Sequence, residues 1–171
     1  MGDGVFLEYD FGSNHGVDLH DEDCLDWKKV FYGPIGMKVN EHQFGDFGSL
    51  LMLTDRWIRN LNNIIYRGSR DFYHGFYDSP LNIGIRRDGD LLRFNADDSA
   101  DKIWNGAAIE TSCSFLAFCN SVGRLHIEAI RAASVRYPAL LNDTGFLKDC
   151  IMAEEILGSG PIKYLAPSRL L

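Results

Sequence analysis

Residues able to support metal or acid–base chemistry concentrate near the start of the chain. His15, His20 and Cys24 lie among several aspartates, and these are side chains that zinc and non-haem iron use as ligands. The two histidines are five positions apart, so they would point to opposite faces of a strand and do not form the i, i+4 pair of a helix. The calcium-loop order of acids is also missing. We therefore predict an exposed acidic loop and no metal site.

His74, which stands between Tyr73 and Gly75, is the other residue with catalytic potential. It could act as a general base if Asp71 or Asp78 faced it in a cleft, although a strand histidine of this kind is more often a hydrogen-bonded structural residue. The sequence contains no nucleophile elbow, no phosphate-binding loop and no dinucleotide-binding glycine fingerprint. We predict no catalytic residue and no cofactor. The alternative is a small hydrolase that uses His74 or the His15/His20 region.

The formal net charge of −7 comes entirely from the first 26 residues, which hold eight acids and neither Lys nor Arg. These acids are Asp3, Glu8, Asp10, Asp18, Asp21, Glu22, Asp23 and Asp26. Such a cluster is either a solvated face or a surface for a basic partner, because opposed potentials raise association rates and select the partner. The arginines elsewhere are interleaved with acids or apolar residues, so direct nucleic-acid binding is not expected.

Length and composition favour one domain over residues 1–171, because 171 residues with 46% hydrophobic content suffice for a single core. No apolar run approaches the ~20 residues of a membrane span, and the first residues lack the basic and apolar regions of a signal peptide. We expect a cytoplasmic protein that does not associate with membranes. The four cysteines form no C-x-x-C pair, which favours buried, reduced thiols.

Local patterns predict several elements. Apolar residues recur every three or four positions from Ser49 to Tyr66, with Ser49 as N-cap and Gly68 as the left-handed stop, which indicates a helix. Asp88-Gly89 between two apolar runs predicts a β-hairpin. Strands are also expected over residues 5–11 and 30–39, the second bent or at a sheet edge because Gly33-Pro34 interrupts it.

Two more helices are predicted towards the end of the chain. One is capped by Thr111 or Ser112 and stops before Pro138, and the other covers about Asp143–Leu157. Four further glycines are assigned to turns between elements: Gly33, Gly36, Gly45 and Gly48. The resulting prediction is an α+β fold, with an antiparallel sheet that contains the Asp88-Gly89 hairpin packed against about three helices.

Four sequence blocks place a helix before a half-buried hairpin with an acidic turn: Trp57–Leu61 through Arg67-Gly68, Ser79–Ile85, Asp88–Phe94, and Ile109–Ser112 with Phe115–Phe118. This arrangement resembles the small acidic immunity proteins of bacterial polymorphic-toxin and contact-dependent growth inhibition systems. The last of these is similar to the late helix of SUKH-type members.

The resemblance implies an inhibitor that binds a cognate toxin domain, commonly a nuclease, and occludes its active site or substrate surface without catalysis. Such toxins are often basic, which suits the acidic first segment. The predicted contact residues are Asp18, Asp21, Glu22, Asp23, Asp26 and the aromatic anchor Trp27. Phe31 and Tyr32 are further anchor candidates, although burial in the core is the competing interpretation and is stronger for Phe31 than for Trp27.

Overall fold

The computed structural model describes residues 4–9, 26–75, 82–97, 108–148 and 150–151, which form an α+β fold as predicted. The strands are β1 (Val5–Tyr9), β2 (Tyr32–Val39), β3 (His42–Ser49), β4 (Asp71–Gly75), β5 (Asn82–Asp88), β6 (Leu91–Asp97) and β7 (Ile109–Ser114). The helices are α1 (Leu50–Tyr66), α2 (Phe115–Arg136) and α3 (residues 144–148 and 150–151), with 3-10 turns η1 (Trp27–Lys29) and η2 (Pro138–Asn142).

The strands form two antiparallel sheets, in the order β1-β2-β3 and β4-β5-β6-β7. The predicted hairpin is confirmed as β5–β6, but its two-residue loop is Gly89-Asp90, because Asp88 still pairs with Leu91. Gly89 has a φ of 60°, the left-handed value that type II′ turns require at their first central residue. A glycine adopts this conformation without the strain that a Cβ would introduce.

The prediction of turns at the four early glycines is wrong. They lie in β2 and β3, where Gly33 pairs with Gly48 and Gly36 with Gly45. Strand β3 was not predicted from the sequence because glycines and polar residues interrupt its apolar pattern. β2 is the central strand of its sheet, and among the described residues β1 pairs with it only up to Ile35, one residue short of the position opposite Pro34.

The start of α2 also differs from the prediction. Residues 109–114 form strand β7, and the N-cap is Ser114 rather than Thr111 or Ser112, with its Oγ accepting from the Ala117 backbone N–H at 3.3 Å. The helix passes through buried Gly123 without a break. The predicted α1 is confirmed: Ser49 Oγ accepts from the Met52 N–H at 3.4 Å, and Gly68 has a φ of 70°.

The two long helices pack against each other and cover the inner sheet faces. Trp57 of α1 is 1% exposed and lies where these layers meet. Its ring centroid is 5.6 Å from that of His74 on β4 and 5.7 Å from that of Phe118 on α2. Phe118 in turn stacks edge-on with Phe94 of β6 at 5.3 Å. Burial of these large rings supplies much of the stabilisation of the core.

An asparagine side chain links the two sheets. Asn40, in the β2–β3 turn, has a φ of 54° and donates from Nδ2 to Ser112 O at 2.8 Å and to Thr111 Oγ1 at 3.2 Å. Asparagine tolerates the left-handed conformation better than most residues.

We expect Asn40→Ala to lower the free energy of unfolding by about 1–2 kcal/mol, because both hydrogen bonds are lost while the backbone cost of a left-handed residue rises. Asn40→Gly is the control, since it removes the two hydrogen bonds but adopts the positive φ without strain. Urea unfolding should rank wild type above Gly and Gly above Ala. Equal stability of Ala and wild type would mean that the link contributes nothing.

Candidate functional site

Two of the six predicted contact residues, Asp26 and Trp27, fall within the residues that the structure describes. The other four (Asp18, Asp21, Glu22 and Asp23) and the histidines at 15 and 20 lie outside them. Asp26 is exposed and caps η1, with its Oδ1 accepting from the Lys28 backbone N–H at 3.0 Å. It is therefore accessible to a partner, and it also fixes the start of the turn that carries Trp27.

Trp27 is half-buried and packs against the first turn of α3. A Cβ placed on Gly145 would lie 3.2 Å from the Trp27 ring nitrogen and 3.0 Å from Asp143 Oδ1, so any larger residue would push the indole or the carboxylate away by a few tenths of an ångström. Asp143 caps α3 by accepting from the Phe146 N–H at 2.8 Å. Trp27 is thus partly a packing residue with one edge accessible.

The other two aromatic candidates, Phe31 and Tyr32, differ in how deeply they are buried. Phe31 is 1% exposed, and its ring packs against Tyr9 with centroids 6.0 Å apart, so it is a core residue rather than an anchor. Tyr32 is half-buried and lines a cavity beside η1.

A positively charged groove runs between η1, α1 and the start of α3. This Trp27 groove has a volume of about 700 Å³. It is lined by Trp27, Lys28, Met52, Asp55, Arg56, Arg59, Asn60, Asn63, Gly145 and Lys148. Four of these residues are basic and one is acidic, and the acid is paired, with Asp55 Oδ2 lying 2.9 Å from Arg59 Nε. Sequence reasoning missed the groove because three separate elements supply its bases.

A smaller concavity, here named the α1 cavity, adjoins this groove and has a volume of about 250 Å³. It is lined by Asp26, Lys28, Tyr32, Ile35, Gly48, Ser49, Met52, Leu53, Arg56 and His74. Its residues come from η1, β2, β3, the first turns of α1, and β4. Lys28, Met52 and Arg56 line both concavities, so the two share a rim.

His74 is the titratable residue at the inner end of the α1 cavity and is 3% exposed. Burial, and secondarily the positive charge of Arg56, lowers the pKa of His74 to about 4. Asp71 lies on the opposite face of β4 and pairs with Arg86 at 3.1 Å, so it does not orient the imidazole. The second proposed partner, Asp78, lies outside the described residues. A base with so low a pKa is poorly matched to proton abstraction near pH 7.

The described cysteines, Cys113, Cys119 and Cys150, are buried, as predicted. Burial raises the pKa of Cys119 to about 12, and the nearby positive charge of Arg87 only partly opposes this. A thiol with such a pKa stays protonated and is a poor nucleophile. Among the residues with described positions, no three His, Cys, Asp or Glu side chains form a group that could hold a metal ion.

No family model, curated protein or solved structure matches the chain. The likeness to immunity proteins therefore rests on the sequence blocks quoted above and stays a prediction. Across the described part of the chain, none of the helices is both long and apolar enough to cross a membrane.

Proposed function

We propose that this chain is a cytoplasmic inhibitor that binds a cognate toxin domain by non-catalytic, charge-complementary occlusion. The observation that carries the proposal is that Met52 and Arg56 lie on the rim shared by two concavities, one lined by Asp26 and the other by Trp27. Tryptophan, methionine and arginine are enriched in protein interfaces, and tryptophan and arginine are also enriched among hot spots. Met52 is 38% exposed, so its side chain is accessible to a partner at this rim.

The charges define the kind of partner that would fit. The eight acids of the first 26 residues attract a basic surface, whereas the Trp27 groove presents Lys28, Arg56 and Lys148. A partner therefore needs a basic region bordered by carboxylates. A nuclease toxin supplies the basic region through its nucleic-acid-binding surface. It supplies the carboxylates where its catalytic site uses acidic residues.

The hydrolase alternative receives less support from the same geometry. His74 is neutral at pH 7 because its pKa is lowered to about 4, and Asp71 lies across the strand from it. The His15/His20 region lies outside the described residues. Metal analysis of the purified protein and His74→Ala would test this alternative, because an inhibitor needs neither a metal nor this imidazole.

The direct experiment takes a candidate toxin domain from a neighbouring gene that encodes a large secreted protein with a variable C-terminal domain. Coexpression of that domain with the chain should restore growth to cells that the domain alone arrests. The purified pair should form a stable complex, detected by size-exclusion chromatography and calorimetry. Continued growth arrest together with the absence of a complex would refute the proposal.

Charge reversal of the acidic cluster should slow association selectively. We expect Asp21→Lys, Glu22→Lys, Asp23→Lys and Asp26→Lys combined to reduce the association rate about tenfold or more at low salt, because electrostatic steering is reversed. Loss of the Asp26 cap should cost only about 1 kcal/mol of stability. Stopped-flow measurements over a salt series would show a wild-type rate that falls with salt.

The matched control reverses four exposed acids elsewhere, at Glu41, Asp90, Glu110 and Glu128, and changes the net charge by the same amount. It should slow association much less. Equal slowing by both variants would mean that net charge, rather than this cluster, governs the encounter.

A further inference from the structure

We propose that the α1 cavity is a binding site for a small carboxylate with an apolar body. This inference goes beyond the toxin-inhibitor function, because seven of the ten residues that line the cavity do not line the Trp27 groove. Its volume of about 250 Å³ is slightly below the ~300–1,000 Å³ of most ligand pockets, which restricts the ligand to a small molecule.

The walls are suited to an apolar body. Ile35 and Leu53 are buried, the half-buried ring of Tyr32 lies on the β2 side, and Met52 forms the mouth at 38% exposure. Ser49 is the polar residue at the base of α1, and its Oγ already accepts from the Met52 N–H. An apolar ligand body therefore displaces water from apolar surface, which is favourable.

The rim supplies cations for the carboxylate. Arg56 and Lys28 form no ion pair with any carboxylate among the described residues, whereas Arg59 binds both oxygens of Asp55, at 3.0 and 2.9 Å. An arginine without such a partner can bind a ligand carboxylate through two parallel hydrogen bonds.

The sum of charges around the cavity favours an anion over a cation. Among the described lining residues the acid is Asp26, and its Oδ1 is engaged by the Lys28 backbone N–H. The two cations and one carboxylate of this described lining sum to a charge of +1. The first turn of α1 adds the positive end of a helix dipole at the same place. An ammonium ligand with the same apolar body would be repelled.

Gly48 gives a way to fill the cavity. A Cβ built at Gly48 meets nothing within 4 Å, and the residue lies on the same inner face of β3 as buried Phe44. A valine side chain there would extend into open cavity space. Gly45 is exposed on the other face of the same strand, and its Cβ would make only an ordinary contact, 4.0 Å from Ile35 O, which makes it the matched control.

The test is calorimetric titration of the full chain with hexanoate and phenylacetate, compared with hexylamine and phenethylamine. We expect the carboxylates to bind at least tenfold more tightly than the matched amines. Gly48→Val should abolish carboxylate binding, and Gly45→Val should leave it within about twofold. Arg56→Gln should weaken binding about tenfold or more because a charge-assisted pair is lost, whereas Arg59→Gln should not.

Several outcomes would overturn the proposal. These are failure of every carboxylate to bind, equal binding of amines and carboxylates, and unchanged binding by Gly48→Val. If Gly48→Val does not fold, Gly48→Ala takes its place. The NMR shift of the wild-type Met52 methyl group during titration with the carboxylates then also reports whether the ligand occupies the cavity. The proposal would also be overturned if the wild type bound no carboxylate while Gly48→Val lost toxin binding. That result would mean that a side chain of the partner fills the cavity.

Discussion

Acidification from pH 7 to pH 4 is expected to lower the free energy of unfolding by roughly 6 kcal/mol through two buried histidines, about 3 kcal/mol from each. Burial lowers the pKa of both His74 and His126 from 6.5 to about 4, with a smaller contribution from Arg56 at His74. Between these values the unfolded chain binds protons that the folded chain does not. Stability is therefore complete above about pH 6.5, falls as the pH drops, and levels off near pH 4.

The surroundings of His126 explain why its neutral form is retained. This side chain is 2% exposed between α2 and α1, and its Nδ1 lies 2.7 Å from Thr54 Oγ1. The Thr54 hydroxyl also lies 2.9 Å from Leu50 O. When the hydroxyl proton is donated to this carbonyl, Nδ1 must carry the hydrogen that joins the two helices. Protonation of the other ring nitrogen would place an uncompensated charge in the core.

Urea unfolding between pH 4 and pH 8 would measure this effect. Carboxylates also contribute to acid destabilisation, so the comparison is with the double variant His74→Phe, His126→Gln. This variant should lose most of the dependence between pH 6.5 and pH 4, whatever its stability at pH 8. A wild-type curve that is flat in this interval, or an equally steep curve for the double variant, would contradict the prediction.

Trp57→Ala should lower the free energy of unfolding by about 3–5 kcal/mol, the cost of a large cavity in a well-packed core. Trp57 is 1% exposed, and its removal withdraws contacts from His74 on β4 and from Phe118 on α2 at once. Because the loss lies at the junction of α1, α2 and the second sheet, the region cannot collapse to fill it without moving a whole element. Far-UV circular dichroism during urea unfolding would quantify the change.

Trp57→Phe is the matched variant and should cost only about 1–2 kcal/mol. Phenylalanine keeps an aromatic ring against His74 and Phe118, and it removes an indole N–H that has no hydrogen-bond partner among the described residues. Losing that unsatisfied group offsets part of the lost volume. Equal destabilisation by the two variants would show that shape at this position matters more than buried aromatic surface.

The sequence by itself specified the elements with strong local signals. The helix from Leu50 to Tyr66 was predictable because its apolar period, its Ser49 cap and its Gly68 stop all lie within the segment. The β5–β6 hairpin was predictable because its glycine lies between two apolar runs. β3 and β7 were not predictable, since their glycine-rich or Ser/Thr-rich sequences become strands through pairing with distant segments.

The same division holds for the functional surfaces. The concentration of eight acids before Trp27 is a property of the sequence, and so is the three-residue spacing that places Arg56 and Arg59 near each other on one helix. The Trp27 groove and the α1 cavity arise only in the tertiary structure, which brings Lys28, Arg56 and Lys148 together from separate elements. Charge content is additive along a chain, but a concave site requires the packing of segments that no local pattern relates.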